Sequence, residues 1–160
     1  MRRWVLDTNV LISALLTPRS TSAQVLAQAL SACGKLLVSK ATLAELGEVL
    51  SRPKFDRYVS RNTRNQFLID LMPVVELVPE SSPIRACRDP KDDKLLEVAV
   101  HGQADALITG DADLLALNTF HWVSIVAPAR FVADIPAGRP AFTGYVQEPR
   151  ARYALRGKAG

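Results

Sequence analysis

Asp89-Pro-Lys-Asp92-Asp93-Lys-Leu-Leu-Glu97-Val-Ala99, followed by Asp105-Ala-Leu-Ile-Thr109-Gly-Asp111-Ala-Asp113-Leu114, is the stretch on which the fold turns. Asp89 is placed to cap a helix, Pro90 fills the first helical position, where a missing N–H costs nothing, and Asp92 stands third. Leu95, Leu96, Val98 and Ala99 recur at helical spacing, and Gly102 stops the run. Asp105–Thr109 then reads as a short buried strand and Ala112–Leu117 as a short helix. Helix, strand and helix in close succession form the repeating unit of a parallel sheet.

The same alternation extends upstream. Trp4–Asp7 reads as a strand and Val10–Leu16 as a helix turning back from it. Pro18 and Ser20-Thr-Ser22 break the chain, and Ser22 is placed to cap a helix over Ala23–Ala32, with Gly34 beyond its end. Lys35–Ser39 is a second strand, and a helix from Lys40 to Ser51 follows, ended by Pro53. Residues 54–72 look like one amphipathic helix anchored by Phe55, Tyr58, Phe67, Leu68 and Leu71. Val74–Val78 is a strand, Glu80–Arg88 a loop, and Val123–Val126 the last strand. The expected fold class is α/β, a parallel sheet with helices on both faces. Periodicity fails near Pro136, so the chain divides into a domain over 1–136 and a basic tail over 137–160, mobile or partner-dependent.

A chain of 160 residues, 48% hydrophobic, is long enough for one globular domain with a real core. No apolar run reaches the ~18 residues that would span a bilayer. Asp7 interrupts the N-terminal apolar run too early for a signal peptide, which leaves the cytoplasm as the expected compartment and no membrane partner. Cys33 and Cys87 have neither the spacing nor the histidine neighbours of a zinc site. The net charge of +4 is uneven, because residues 1–128 balance and the basic excess lies in 129–160. A second basic group, Arg52, Lys54, Arg57, Arg61 and Arg64, is opposed locally by Asp56 alone. Bases at the periphery of an acidic pocket suit a polyanion, although each patch alone could be a solvated face.

Asp7 and Asp111 each follow an apolar strand, Asp92 and Asp93 open a helix, Asp113 follows Asp111, and Glu45 sits mid-helix. Taken singly, each has an ordinary reading as a cap, a surface acid or a macrodipole partner. An acid at the carboxyl end of a buried strand, however, faces the crevice where open α/β sheets bind ligands. Several acids meeting there repel one another unless a cation lies between them, and an oxygen-only donor set suits Mg2+ or Mn2+. That points to metal-assisted chemistry on phosphate. His101 and His121 lie outside these motifs, and no G-x-S-x-G is present, which disfavours histidine acid–base and serine hydrolase chemistry.

Together, Val5-Leu-Asp7-Thr-Asn9-Val10, Ser39-x-x-Thr42-Leu-x-Glu45-Leu-x-x-Val49-Leu50, Arg52-Pro-Lys-Phe55, the Asp89–Ala99 run and Ala104–Leu114 resemble the PIN-domain family, and within it the VapC-type toxins of toxin–antitoxin systems. The ordered set carries the resemblance over residues 4 to about 132; no single motif is decisive. It implies a Mg2+- or Mn2+-dependent ribonuclease on a Rossmann-like sheet. It also implies a small antitoxin partner and a homodimer. By position, Asp7, Glu45, Asp92 and Asp111 match the family's four acids, with Asp7, Asp92 and Asp111 as metal ligands. Asp93 and Asp113 are the reserves, and Asn9 and Thr109 match polar residues that line the pocket. Arg52, Lys54, Arg57, Arg61 and Arg64 are the expected RNA-binding residues.

Two other readings compete. A phosphoryl-transfer enzyme of haloacid-dehalogenase type also places an acid after its first strand, but it wants a second Asp two residues on, where this chain has Asn9. The other is a non-catalytic receiver-like or interaction domain with a degenerate acidic pocket; a receiver pairs acids at the first strand end and uses a lysine late in the sheet. None lies between Thr109 and Pro128.

Overall fold

Successive residues of the first strand enter opposite cores: Trp4 and Leu6 one, Val5 the other. A strand covered on both faces cannot alternate with polar residues, which is why these segments read as continuous apolar runs. The computed structural model describes residues 2–31 and 34–134. Its strands are β1 (Arg3–Leu6), β2 (Lys35–Val38), β3 (Val75–Leu77), β4 (Ala106–Ile108), β5 (Thr119–Phe120) and β6 (Val123–Val126). Its helices are α1 (Thr8–Leu16), α2 (Thr21–Ser31), α3 (Lys40–Leu50), α4 (Arg61–Leu71), α5 (Pro90–His101), α6 (Ala112–Leu117) and α7 (Pro128–Asp134).

The sheet runs β3-β2-β1-β4-β6-β5. The pairs β3–β2, β2–β1, β1–β4 and β4–β6 are parallel, and β5 pairs antiparallel with β6. The fold is therefore α/β as expected, with one antiparallel edge added. One core holds residues of α1, α2, α3, α4 and α7, including Val25, Leu46, Phe67 and Phe131; the other holds Leu96, Val98 and Ala99 of α5 with Leu114 of α6. Strand order reverses at β1, whose neighbours are β2 and β4. In an open parallel sheet that reversal is where a ligand crevice forms, beyond the carboxyl ends of the strands.

Local chemistry accounts for most boundaries. Ser39 caps α3 by accepting from Thr42 N at 3.1 Å, and Thr42 Oγ1 accepts from Ser39 N at 2.9 Å. Asp89 caps α5 with Pro90 behind it. Gly102 ends α5 where a Cβ would lie 2.7 Å from Leu37 Cδ1, so the close approach of α5 to β2 requires glycine.

The expected helix over 54–72 is divided. A 3-10 turn, Pro53–Phe55, is followed by irregular chain, and α4 starts after Ser60, whose Oγ accepts from Thr63 N at 3.1 Å. Ser20 rather than Ser22 caps α2, accepting from Ala23 N at 3.1 Å. Two elements were not expected. The β5–β6 hairpin turns through His121, at a φ of 51°. α7 starts at Pro128 and sets Phe131 edge-on against Trp4, with ring centroids 5.0 Å apart. Among the described residues no helix is long and apolar enough to cross a membrane. The expected tail, 137–160, lies outside the described residues.

Candidate active site

Asp7 leaves β1 with its backbone N–H on the Ile108 carbonyl of β4, at 3.0 Å. Its side chain caps α1: Oδ1 accepts from Asn9 N at 3.2 Å. Oδ2 accepts from the Thr109 hydroxyl at 2.7 Å. Thr109 is fully buried and its Oγ1 also accepts from Asp111 N at 3.0 Å. Asp7, Thr109 and Asp111 thus form one chain of hydrogen bonds across the carboxyl ends of β1 and β4. Thr109 was expected to line the pocket; it supports the pocket from beneath.

Asp111 caps α6, Oδ1 accepting from Asp113 N at 2.9 Å and Leu114 N at 3.1 Å. The start of α5 brings Asp92 to the same place. Asp92, Asp111 and Asp113 each offer a carboxylate oxygen, and these oxygens lie within 4.8 Å of one another. The Asp92 carboxyl is pushed up to about 6, first by burial and then by the charges of Asp111, Asp89, Asp7 and Asp113. Carboxylates crowded in this way attract a cation. Their oxygen-only chemistry and small separations fit a hard divalent ion.

These acids face a cleft of about 290 Å³ lined by Asp7, Glu45, Asp92 and Asp111 together with Asn9, Arg52 and Lys54. The structure therefore brings the four expected acids around one space, although they come from the caps of α1 and α6, the middle of α3 and the first turn of α5. Asp89 and Lys91 line it too, and sequence reasoning did not assign them to the site. The signal was present: a cap and the residue two positions on must both lie at the mouth of the helix they start.

Asp93 has a different position. It is buried, and Oδ1 accepts from Ala86 N at 2.9 Å and Cys87 N at 2.8 Å. One turn on, Glu97 accepts from Ile84 N at 3.0 Å, and a turn later His101 Nε2 lies 2.9 Å from the Ser82 carbonyl. Three side chains spaced four apart thus clasp the segment before α5. Within it the Cys87 thiol is pushed up to about 11, by burial first and then by Asp93, Asp92 and Asp111.

The basic cluster divides. Arg52 and Lys54 line the cleft, Arg52 pairing with Glu48 at 3.3 Å and Lys54 lying over the Phe55 ring at 5.1 Å. Arg57 is exposed over the Tyr58 ring, and Arg61 is exposed 3.9 Å from Asp56. Arg64 cannot reach RNA: it is 2% exposed. Its Nη1 donates to the carbonyls of Leu50 at 2.8 Å and Arg52 at 3.1 Å, and Nη2 pairs with Asp56. It satisfies the Leu50 carbonyl at the end of α3 and adds a donor to that of Arg52, which also accepts from Phe55 N at 3.2 Å, so its expected RNA-binding role is withdrawn.

A model of the PIN domain matches residues 3–113. An uncharacterized protein of Methanocaldococcus jannaschii is 32% identical, the match covering 81% of this chain and 89% of that protein. Among solved structures, VapBC2 from Rickettsia felis, bound to a DNA fragment from their promoter, matches with a TM-score of 0.55. That match is 15% identical and covers 78% of this chain and 98% of that one, so the likeness is one of fold. The family match runs from β1 to Asp113 and takes in every acid of the cleft; the chain belongs to the PIN-domain family.

Proposed function

We propose that this chain is a Mg2+- or Mn2+-dependent ribonuclease that hydrolyses phosphodiester bonds. The observation that carries the reading is the meeting of Asp7, Glu45, Asp92 and Asp111 in one cleft at the reversal of strand order, edged by Arg52, Lys54 and Lys91. Membership of a family of nucleases supports it. Asp7, Asp92 and Asp111 would hold the metal: the oxygens of Asp92 and Asp111 lie within 4.8 Å of each other and of Asp113, and Asp7 lines the same cleft. A bound divalent ion lowers the pKa of water and polarises a phosphoryl oxygen.

The chain's own groups do the rest. Thr109 and Asn9 N fix both oxygens of Asp7, and the two N–H groups on Asp111 Oδ1 leave Oδ2 to the cleft. Glu45, which lines the same cleft, is the group to orient the attacking water and accept its proton. Arg52 and Lys54 hold the RNA backbone, with Arg57 and Arg61 on the surface beyond them. Purified protein should cleave single-stranded RNA with Mg2+ or Mn2+ and stop in EDTA. Cleavage that persists in chelator would overturn the metal reading.

In the cell we assign the chain the toxin role of a toxin–antitoxin pair, working in the cytoplasm as a homodimer silenced by a small antitoxin. The motifs' resemblance to VapC-type toxins and the fold likeness to VapBC2 support this. Expressed alone, the chain should arrest growth, and a small protein encoded beside it should relieve the arrest. Light scattering should give a dimer. Normal growth on expression removes the toxin role without touching the chemistry.

A further inference from the structure

A second cleft, of about 190 Å³, lies beside the acidic one. Ser39 and Ala41 at the start of α3, Val78 and Pro79 after β3, and Lys94 and His101 of α5 line it. The two clefts share their walls in opposite order. Early α3 and late α5 line the second; Glu45 and Val49 of late α3, with Asp92 and Leu95 of early α5, line the first. The two helices run antiparallel, and the clefts are two stations along the same pair of helices.

The chemistry of the second station differs from the first. Ala41, Val78, Pro79 and Val98 give it apolar walls. Glu80 and Glu97 also line it, which disfavours a phosphate inside and favours a neutral, flat group. His101 Nε2 donates to the Ser82 carbonyl, which leaves Nδ1 as the ring's second polar atom. The cleft is smaller than the ~300–1,000 Å³ of pockets for drug-sized ligands, a fit for a single ring system. Between the stations stand two cations, Lys91 lining the first and Lys94 the second. Three residues apart on one helix, their Cβ atoms are ~5–6 Å from each other. Both are exposed, and neither makes an ion pair among the described residues.

We propose that the second cleft is a base subsite: it takes the unpaired base of the ribonucleotide next to the scissile bond, with Lys91 and Lys94 on the backbone between. This rests on the ribonuclease reading and narrows it to single-stranded RNA, since a paired base could not enter. Lys91 and Lys94 are then substrate-positioning residues.

The direct test titrates the full chain, free of metal, with the four nucleoside 5′-monophosphates while amide NMR shifts are followed. Shifts should centre on Ala41, Ser81, Lys94 and His101 and differ among bases; inorganic phosphate alone should not reproduce them. Ala41→Met, which fills the cleft from a half-buried helix position, should abolish them without lowering Tm or Mn2+ affinity. In cleavage assays Ala41→Met should raise KM several-fold at unchanged kcat and flatten the base preference beside the cut. Lys94→Gln should reduce the log–log salt slope of binding by about 0.7, one phosphate contact on a single strand. Shifts absent from this cleft, or an Ala41→Met protein with wild-type KM and base preference, would overturn the subsite. A wild-type protein that cleaves no RNA would sink the nuclease reading instead, and the titration would still decide whether the cleft takes a base.

Discussion

Thr109 donates its hydroxyl to Asp7 across 2.7 Å while accepting the backbone N–H of Asp111 at 3.0 Å, so one buried oxygen ties two of the acids together. The hydroxyl fixes the Asp7 carboxylate directly and the backbone from which the Asp111 side chain departs. The threonine stands where β4 ends beside β1, the pair of strands at which sheet order reverses.

Thr109→Val tests that tie, since it keeps the branched shape and removes the hydroxyl. The Asp111 N–H loses its acceptor in a buried place, a cost of ~1–3 kcal/mol. Asp7 loses a donor, and a supporting group of this kind is worth about 10–100-fold in metal affinity or activity. Thr109→Ser should recover most metal binding while still melting below wild type. Calorimetric Mn2+ titration and thermal melts check both; equal Mn2+ affinity in Thr109→Val would show that the hydroxyl only fills space.

Asp92 and Asp93 should separate cleanly on truncation. Asp92→Ala removes a cleft carboxylate and should cost at least 100-fold in cleavage with little loss of Tm. Asp93→Ala releases the N–H groups of Ala86 and Cys87 and should cost ~2 kcal/mol of stability. Asp93→Asn, which keeps one acceptor, should fall between. A larger loss of activity at Asp93 than at Asp92 in well-folded proteins would exchange their roles.

The raised Asp92 carboxyl gives a pH dependence of definite sign. Its folded pKa, about 6, exceeds its ordinary value, so the native state holds this proton more tightly than the unfolded chain does. The charged form is therefore a penalty on the metal-free protein, absent at low pH, growing as pH rises toward 6 and complete above it. At pH 7 Asp92→Asn should melt higher than wild type by the equivalent of ~1–2 kcal/mol, the bare shift being reduced by solvent screening. The gap should narrow by pH 4.5 and close when Mn2+ is added to wild type at pH 7. A gap that widens on acidification would show the opposite sign.

Arg64 and Arg61 supply a control within one helix. Arg64→Ala takes the side-chain donor from the Leu50 carbonyl and removes a buried, packed side chain, and should cost ~1–3 kcal/mol, the scale for a buried acceptor left unpaired, while the exposed Asp56 keeps Arg61 nearby. Arg61→Ala, at an exposed position, should change stability by no more than ~0.5 kcal/mol and should weaken RNA binding instead. Chemical denaturation beside a salt-dependent binding series separates the two.

The elements of strongest pattern were legible in the sequence. Asp89-Pro90 at the start of α5, the short α6 and the strand Val123–Val126 all stand where spacing places them, because each carries its own start or stop chemistry. The meeting of Asp7, Asp92 and Asp111 follows from strand ends and helix starts sharing one edge of the sheet, whereas mid-helix Glu45 was placed there only by the resemblance to the family. The failures are tertiary. Arg64 has the local setting of a surface residue; the carbonyls of Leu50 and Arg52 and the carboxylate of Asp56, brought beside it by the fold, draw it inward. α7 was concealed because Pro128 served equally to end a strand or start a helix, and the contact of Phe131 with Trp4 joins distant ends of the chain. The β5 hairpin lacks the Asn-Gly or Asp-Gly signature of tight turns and uses His121 at positive φ instead.

The clasp of Asp93, Glu97 and His101 on the segment before α5 also governs its exchange with solvent. An irregular stretch at the surface ordinarily opens at almost no cost, yet the amides of Ile84, Ala86 and Cys87 are tethered to successive turns of a helix. They should exchange more slowly than free loop amides, and opening of that helix releases all three together. Cys87 shares that fate. Its thiol, held protonated by burial and neighbouring charge, is a poor nucleophile while the clasp is closed. The rate at which a thiol reagent labels Cys87 therefore reads out how often the helix bearing Asp92 lets go of the segment before it.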